Sequence, residues 1–204
     1  MQNKYMSDTE IGVDEAGRGP LIGRVYAGAV ILGKDFKLDP KISIIDSKKL
    51  SAKKRAVSYE WIKNNVAAWG VGYAEPGEID SINILEATNL AMLRAVTNLK
   101  TNFSSYNNNE ELIVDGIGWE TRFPGYIVNS FVKGDATYLS IACASIIAKE
   151  YHDMHIKDIC NNTDLNEKYD LLSNMGYGTK KHLAGIHTYG PCDYHRKSFR
   201  PIKQ

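Results

Sequence analysis

This 204-residue sequence lacks several features that would place it in a class of proteins at once. Its three cysteines (Cys143, Cys160 and Cys192) are odd in number and have no Cys-x-x-Cys spacing. That usage argues against a disulfide framework or a zinc site and favours a reducing compartment. No apolar run approaches the roughly 18 residues of a membrane span, and residues 1–10 are too polar for a signal peptide. We therefore expect a cytoplasmic protein without membrane contact.

An overall excess of charge of one sign is also missing, because 25 basic and 24 acidic residues leave a formal net charge of +1. The distribution is uneven, however. Residues 171–204 contain six lysines and arginines, three histidines and one aspartate. The C-terminal end is therefore the basic end of the chain.

Common catalytic and nucleotide-binding signatures are absent as well. No Gly-x-Ser-x-Gly elbow is present, and no Ser/His/Asp arrangement is evident. The glycines at positions 17, 19 and 23 miss the dinucleotide-binding spacing by one residue, and no P-loop lysine follows them.

Hydrophobic residues make up 43% of the chain, which is enough for the core of one domain. Mixed strand and helix patterns predict an α/β fold, a mixed β-sheet flanked by helices. We expect residues 1–160 to form the main domain and residues 161–204 a small, basic, helical appendage. The predicted strands are 10–16, 25–32 (an antiparallel pair), 69–75, 111–116 and 126–132. The predicted helices are 51–64, 78–99, 136–159, 164–173 and 179–189, with a polar loop at 101–109.

Acidic residues end apolar stretches or precede a helix at three places: Asp14-Glu15, Asp115 and Asp135. An acid at the end of a buried run needs a partner to offset its desolvation. Four converging carboxylates would also repel one another unless cations lay between them. Oxygen ligands without cysteine favour Mg²⁺ or Mn²⁺, and two such ions are the usual apparatus for attack on a phosphodiester.

Simpler interpretations of these acids stay open. Asp135 could cap the following helix, and Asp115 could belong to a turn. Asp14 and Glu15 are harder to explain in this way. The Gly17-Arg18-Gly19 segment behind them offers backbone N–H groups and a guanidinium, which suit a phosphate beside a metal ion.

Three further groups of residues are weaker candidates. His152 and His155 are three residues apart and could bind a metal, but we favour a solvated helix face. Lys48, Lys49 and the basic run at 53–55 could form a phosphate patch or simply a charged helix start. Tyr177, between two glycines, could stack on a sugar or a base.

Taken in order, these stretches resemble the type 2 ribonuclease H (RNase HII) family. The matching blocks cover nearly the whole chain: residues 12–20 (GVDEAGRGP), 46–50 (DSKKL), 114–116 (VDG), 133–135 (KGD), 141–149 (IACASIIAK), 176–179 (GYGT) and 195–199 (HRKSF). Type 3 enzymes differ after the Asp-Glu pair, so Ala16, Arg18 and Pro20 favour type 2.

The resemblance implies an RNase H-like fold and a metal-dependent endonuclease. Such an enzyme cuts the RNA strand of RNA–DNA hybrids and nicks duplex DNA 5′ of a single ribonucleotide, as in ribonucleotide excision repair and RNA primer removal. It also implies a set of roles. The catalytic metal ligands would be Asp14, Glu15, Asp115 and Asp135, and the substrate contacts would be Gly17, Arg18, Gly19, Ser47, Lys48, Lys49, Tyr177 and Lys180.

The chain departs from the family pattern in places that leave the acids untouched. Asn174-Met175 replaces a common His-Lys pair before Gly176, which removes a phosphate contact that Lys180 and Lys181 could offset. No sliding-clamp peptide is visible before Gln204, and we expect a monomer. The alternatives are an RNase H-like DNA nuclease or integrase-type enzyme, and a non-catalytic hybrid-binding module. Four acids argue against the module, because binding an anion gains nothing from added negative charge.

Overall fold

A five-stranded sheet with the strand order β3-β2-β1-β4-β5 positions the predicted acids. The computed structural model describes residues 10–103 and 111–202. β1, β2 and β3 are antiparallel neighbours, whereas β4 and β5 run parallel to β1. The strands are β1 (Ile11–Ala16), β2 (Val25–Ile31), β3 (Ala68–Ala74), β4 (Glu111–Asp115) and β5 (Ile127–Phe131). The five predicted strands, including the early antiparallel pair, are confirmed.

The described residues form six α-helices, of which two pack on opposite faces of this sheet. The six helices are α1 (Ala52–Asn65), α2 (Pro76–Asn102), α3 (Leu139–Asn162), α4 (Leu165–Tyr169), α5 (Leu171–Asn174) and α6 (Lys180–Tyr189). α2 contributes to the buried cluster on one face and α3 to the cluster on the other. The predicted architecture of a mixed sheet flanked by helices is therefore confirmed. None of the helices in the described ranges is long and apolar enough to cross a membrane.

Glycines in the strands bring α3 unusually close to the sheet. A Cβ atom at Gly12 would collide with the backbone of Ser140, and one at Gly28 with the carbonyl oxygen of Ala144. This close approach sets the small residues of α3 directly behind the end of β1.

Helix starts differ from the predictions for local reasons. α2 begins at Pro76, since proline is favoured in a first helical turn and Glu75 and Glu78 form a capping box. α3 begins at Leu139 rather than Ala136, because Gly134–Ala136 forms a separate 3₁₀ turn and Tyr138 is the N-cap. The interpretation of Asp135 as the cap of this helix is therefore wrong.

The C-terminal region packs on the main body through a small apolar cluster that includes Ile22, Ile156 and Leu171. The predicted helix at 164–173 is two short helices, since Asp170 between them adopts a left-handed conformation with φ 58°. The division at residue 160 stays a prediction. The predicted loop at 101–109 lies mostly outside the described residues, and Thr101 and Asn102 still belong to α2.

Candidate active site

The sheet register gathers the four predicted acids at one edge. Val13 of β1 lies opposite Val114 of β4 in a parallel pair, so Asp14 and Asp115 each come one residue later on neighbouring strands. Asp135 lies in the 3₁₀ turn after β5, and the N–H of Gly134 in that turn donates to Asp115 Oδ1 over 2.6 Å. We call Asp14, Glu15, Asp115 and Asp135 the acid cluster.

Burial and repulsion between neighbouring charges make the carboxyl groups of Asp14, Glu15 and Asp135 reluctant to ionise. Burial raises the pKa of Asp14 well above its usual range, and the charges of Glu15 and Asp115 raise it further. The pKa of Glu15 is raised chiefly by burial, although the Arg18 guanidinium, 3.3 Å away, acts in the opposite direction. Burial raises the pKa of Asp135, and Asp115 adds to the shift. A positive charge placed among these groups would offset both effects.

The acid cluster fits a divalent cation by its chemistry. Its donors are carboxylate oxygens, which suit Mg²⁺ or Mn²⁺, and a cation would offset the burial and the repulsion that raise the pKa values of Asp14, Glu15 and Asp135. Within residues 10–103 and 111–202, no three His, Cys, Asp or Glu side chains form a compact coordination group by themselves. The acids are therefore electrostatic neighbours rather than a preformed cage.

Two serines connect the acid cluster to the predicted phosphate-contact segment. Ser145 of α3 hydrogen-bonds the Asp14 side chain, and its hydroxyl oxygen lies 3.0 Å from that of Ser47. Ser47 is buried and begins the 3₁₀ turn Ser47–Lys49, which Asp46 caps by accepting from the N–H of Lys48. Ser47 therefore fixes the position of Lys48 relative to Asp14.

Residues 17–24, which we call the glycine turn, leave β1 immediately after the acids. Gly17 and Gly23 have φ values of 86° and 83°, a left-handed conformation that side chains with a Cβ rarely adopt. The position that a Cβ of Gly17 would take is already filled by the ring of His152. Glycine is therefore required at position 17 by both conformation and space.

Tyr177 reaches the glycine turn from the C-terminal region. A Cβ atom at Gly19 would lie 3.2 Å from Cε1 of Tyr177, so the tyrosine ring borders this glycine closely. The N–H of Leu21 donates to the carbonyl oxygen of Gly176 over 2.8 Å, which ties the two segments together. The Tyr177 side chain is 41% exposed and is available for stacking.

Two buried histidines support the backbone of Tyr177. The N–H of Cys192 donates to His195 Nδ1, which assigns the His195 proton to Nε2. That proton points to His182 Nε2 at 3.1 Å, so His182 Nδ1–H donates to the carbonyl oxygen of Tyr177 at 3.0 Å. Burial lowers the pKa of both rings, that of His195 to about 4, so the pair is neutral near pH 7.

A single cleft of about 400 Å³ brings most of the predicted residues together. It is lined by Glu15, Ala16, Gly17, Arg18, Gly19, Ser47, Lys48, Arg55, Lys149 and Tyr177. The cleft is therefore bordered by an acid, by residues 17–19 of the glycine turn together with Tyr177, and by basic side chains. Lys49 and Lys180 are exposed and do not line this cleft, and Lys49 pairs loosely with Asp46 at 3.7 Å.

Arg55 and Lys149 were not predicted individually as site residues. Arg55 is buried and pairs with Glu150 at 2.6 Å and Asp153 at 2.7 Å, and Lys149 pairs with Asp153 at 2.7 Å. The two Arg55 pairs join residues about a hundred positions apart, so only the folded chain shows them. For Arg55, neither the phosphate patch nor the charged helix start describes this buried pairing.

The predicted solvated face of His152 and His155 is wrong. His152 is completely buried, and its Nδ1 lies 3.0 Å from Asp153 Oδ1, while burial lowers the pKa of both histidines. The two rings pack beneath Gly17 and Gly23 and support the glycine turn. Helical spacing showed that they share a face but not that the turn covers it.

Known proteins match this arrangement of fold and site. The ribonuclease HII family model matches residues 11–202. A curated ribonuclease HII from Polynucleobacter necessarius subsp. necessarius is 41% identical over 195 residues, which cover 95% of this chain and 93% of that relative.

Two solved structures share the fold. The PCNA:RNase HII complex from Archaeoglobus fulgidus matches with a TM-score of 0.71 and 24% identity, covering 96% of this chain and 97% of the other. Bst-RNase HIII in complex with Mn²⁺ matches with a TM-score of 0.70 and 20% identity, covering 95% of this chain and 68% of the other. With one family model spanning almost all of the described residues and a curated relative at this identity, the chain belongs to the ribonuclease HII family.

Proposed function

We propose that this ribonuclease H nicks duplex DNA on the 5′ side of a single embedded ribonucleotide and also cuts the RNA strand of RNA–DNA hybrids. Water attacks the phosphorus, the 3′-oxygen of the upstream nucleotide leaves, and the products carry a 5′-phosphate and a 3′-hydroxyl. The observation that carries the proposal is the shared cleft, in which Glu15, the glycine turn and Tyr177 face one space.

The acid cluster would hold the metal ions of this reaction. Asp14, Glu15, Asp115 and Asp135 supply the oxygen donors, and a bound cation would offset the burial and repulsion that raise the pKa values of Asp14, Glu15 and Asp135. When bound, divalent cations would activate the attacking water and stabilise the leaving oxygen. Bst-RNase HIII, which shares the fold, binds Mn²⁺. We propose that this chain uses Mg²⁺ or Mn²⁺.

The glycine turn would recognise the 2′-hydroxyl, since this group is the local difference between RNA and DNA. Without side chains at Gly17 and Gly19, backbone groups can approach the sugar closely. Arg18 is partly exposed at the mouth of the cleft and would add a charged donor. The Tyr177 ring beside Gly19 would stack on the deoxyribose that follows, and this contact favours an RNA–DNA junction over continuous RNA.

The basic side chains would hold the phosphates of the substrate strand. Lys48 lines the cleft, and Ser47 fixes its position through Ser145. Lys149 and Arg55 also border the cleft, but their charges are paired with Glu150 and Asp153. Lys49 and Lys180, exposed outside the cleft, would contact phosphates further along the duplex.

We further propose that the chain acts as a monomer in the cytoplasm. One chain supplies every group assigned to the reaction, and three cysteines without paired spacing suit a reducing compartment. Size-exclusion chromatography with light scattering tests the monomer; a dimer at assay concentration would contradict it.

A nicking assay tests the proposed reaction directly. Three labelled duplexes are compared with Mg²⁺ and with Mn²⁺: one with a single ribonucleotide, one with a run of four, and one entirely of DNA. We expect one nick 5′ of the single ribonucleotide, with an upstream end that a DNA polymerase extends, and no cutting of the all-DNA duplex. No nick at any concentration of either ion would contradict the proposal.

The same assay separates the alternatives. Cutting of the all-DNA duplex would indicate an RNase H-like DNA nuclease, because that enzyme does not need a 2′-hydroxyl. Binding of the hybrid without metal-dependent cutting would indicate a non-catalytic binding module.

A further inference from the structure

Arg196 is a buried cation whose side-chain hydrogen-bond partners, within residues 10–103 and 111–202, are all neutral. Its side chain is completely buried, and none of the ion pairs among the described residues includes it. A buried guanidinium is costly unless hydrogen bonds satisfy its donors. Burial accordingly lowers the pKa of Arg196 to about 10, which still leaves it charged at neutral pH.

The partners of this guanidinium are four carbonyl oxygens of the glycine turn. Nη2 donates to Gly17 at 2.6 Å and to Arg24 at 3.0 Å, Nη1 donates to Arg18 at 3.0 Å, and Nε donates to Gly23 at 2.9 Å. The planar fork therefore holds the first residues and the last residues of the turn at the same time. No lysine can do this, since it has a single donor atom.

The backbone around Arg196 makes the same connection. Its N–H donates to the carbonyl oxygen of Leu21, and His195 forms an isolated β-bridge with Ile22. The neighbouring Lys197 and Ser198 are anchored on Asp80 of α2 through their N–H groups at 2.9 and 2.8 Å. The segment is thus tied to the glycine turn at His195 and Arg196 and to α2 at Lys197 and Ser198.

Because Arg196 holds four carbonyl oxygens of the glycine turn, it also fixes the orientation of the peptide planes to which they belong. Peptide N–H and C=O groups point in opposite directions, so carbonyls held toward Arg196 orient their amides away from it. Since the cleft is lined by residues 17–19, we propose that Arg196 is a positioning residue that sets the turn for selection of a ribonucleotide.

This inference rests on the proposed function, and its test measures discrimination rather than cutting. Fluorescence anisotropy in EDTA gives the dissociation constants for a duplex with one ribonucleotide and for the same duplex in DNA. The ratio of the all-DNA constant to the ribonucleotide constant exceeds one when the ribonucleotide is preferred. This ratio is compared between the wild-type protein, Arg196→Lys and the control Arg200→Lys, which makes the same change at an exposed position.

We expect Arg196→Lys to lower the ratio about tenfold, as for one lost hydrogen bond to the sugar, with unchanged affinity for the all-DNA duplex. Arg200→Lys should leave the ratio unchanged. Circular dichroism and thermal unfolding confirm that each protein is folded at the assay temperature. A role in stability alone would lower the melting temperature and leave the ratio of the folded protein as in the wild type.

Phe199→Leu provides a milder second variant. The Phe199 ring stacks on the guanidinium, with its centroid 5.1 Å from Cζ, and its loss removes no donor. We expect a drop of about two- to threefold in the ratio. A wild-type ratio in whichever of the two variants folds would overturn the inference. A ratio of one in the wild-type protein would instead contradict the proposed function.

Discussion

The acid cluster and the glycine turn lie next to each other at the end of β1, yet the protein stabilises them in opposite ways. The acid cluster collects like charges, and burial raises the pKa values of Asp14, Glu15 and Asp135. The glycine turn is fully supported, with four carbonyls held by Arg196 and histidine rings packed beneath it. Under the proposed function, the acid cluster that cuts would need a bound cation to complete it, whereas the glycine turn that selects is already held by the protein alone.

The largest expected effect comes from removing one acid. Asp14→Asn should lower the rate of nicking by about 10³-fold or more, since residues that act as a unit fail together. The fold should be spared, because asparagine keeps the shape and relieves the repulsion with Glu15 and Asp115. Single-turnover nicking of the one-ribonucleotide duplex measures the loss, and full activity would remove Asp14 from the proposed role.

Tyr177→Ala should lower kcat/KM on the single ribonucleotide by about 10- to 100-fold, as expected for one lost stacking contact. Cutting within a long hybrid should fall less, since that substrate offers no deoxyribose beyond the cut. Tyr189→Ala is the control, because Tyr189 is 60% exposed on α6 and does not line the cleft. Equal losses on both substrates would show that Tyr177 does not select the junction.

Gly17→Ala and Gly118→Ala separate backbone strain from collision. Both glycines have positive φ, 86° and 78°, but a Cβ meets His152 at position 17 and nothing within 4 Å at position 118. We expect Gly118→Ala to cost about 1 kcal/mol in the free energy of unfolding and to leave nicking intact. Gly17→Ala should cost more and reduce nicking about tenfold. Indistinguishable variants would contradict the close packing of His152 under the turn.

The buried histidines should make the support of Tyr177 sensitive to acid. The pKa of His195 in the folded protein, about 4, lies below its ordinary value of 6.5, so only the unfolded chain takes up a proton between these values. The free energy of unfolding therefore decreases as pH falls from about 6.5 to 4, by up to about 1.4 kcal/mol per pH unit for this residue.

Chemical denaturation at several pH values measures that slope. His195→Asn should flatten it, and His187→Asn, a change at an exposed position of α6, should not. An unchanged slope in His195→Asn would show that this ring is not kept neutral by burial.

The smallest effect is expected at the rim of the site. Lys180→Ala should raise KM about two- to threefold at low salt, because an exposed lysine contributes one screened phosphate contact. The difference should disappear as the salt concentration is raised. A loss that persists at high salt would place Lys180 in a direct contact rather than at the rim.

The parts of the molecule that local patterns encode were predictable from the sequence. Alternating and apolar runs predicted the five strands, and acids at their ends predicted which side chains would gather. Ser51 correctly marked the start of α1, since its hydroxyl accepts from the N–H of Lys54.

Features that depend on distant segments were not predictable in the same way. Arg196 meets the glycine turn across more than 170 residues, and Arg55 meets Asp153 across 98. Nothing in the sequence around Arg196 distinguishes a buried arginine that hydrogen-bonds a distant turn from an exposed arginine of the basic C-terminal end. His152 was misassigned for the same reason, because its neighbours in the helix do not reveal the turn that covers it.

The proposed division of roles between the acid cluster, which cuts, and the glycine turn, which selects, is tested most directly by the binding preference of Asp14→Asn. Anisotropy in EDTA compares its dissociation constants for the one-ribonucleotide duplex and for the matched all-DNA duplex. We predict the wild-type ratio in a protein that no longer cuts, since the glycine turn and Arg196 are untouched. A ratio that falls to one with the loss of this single carboxylate would contradict the division between cutting and selection.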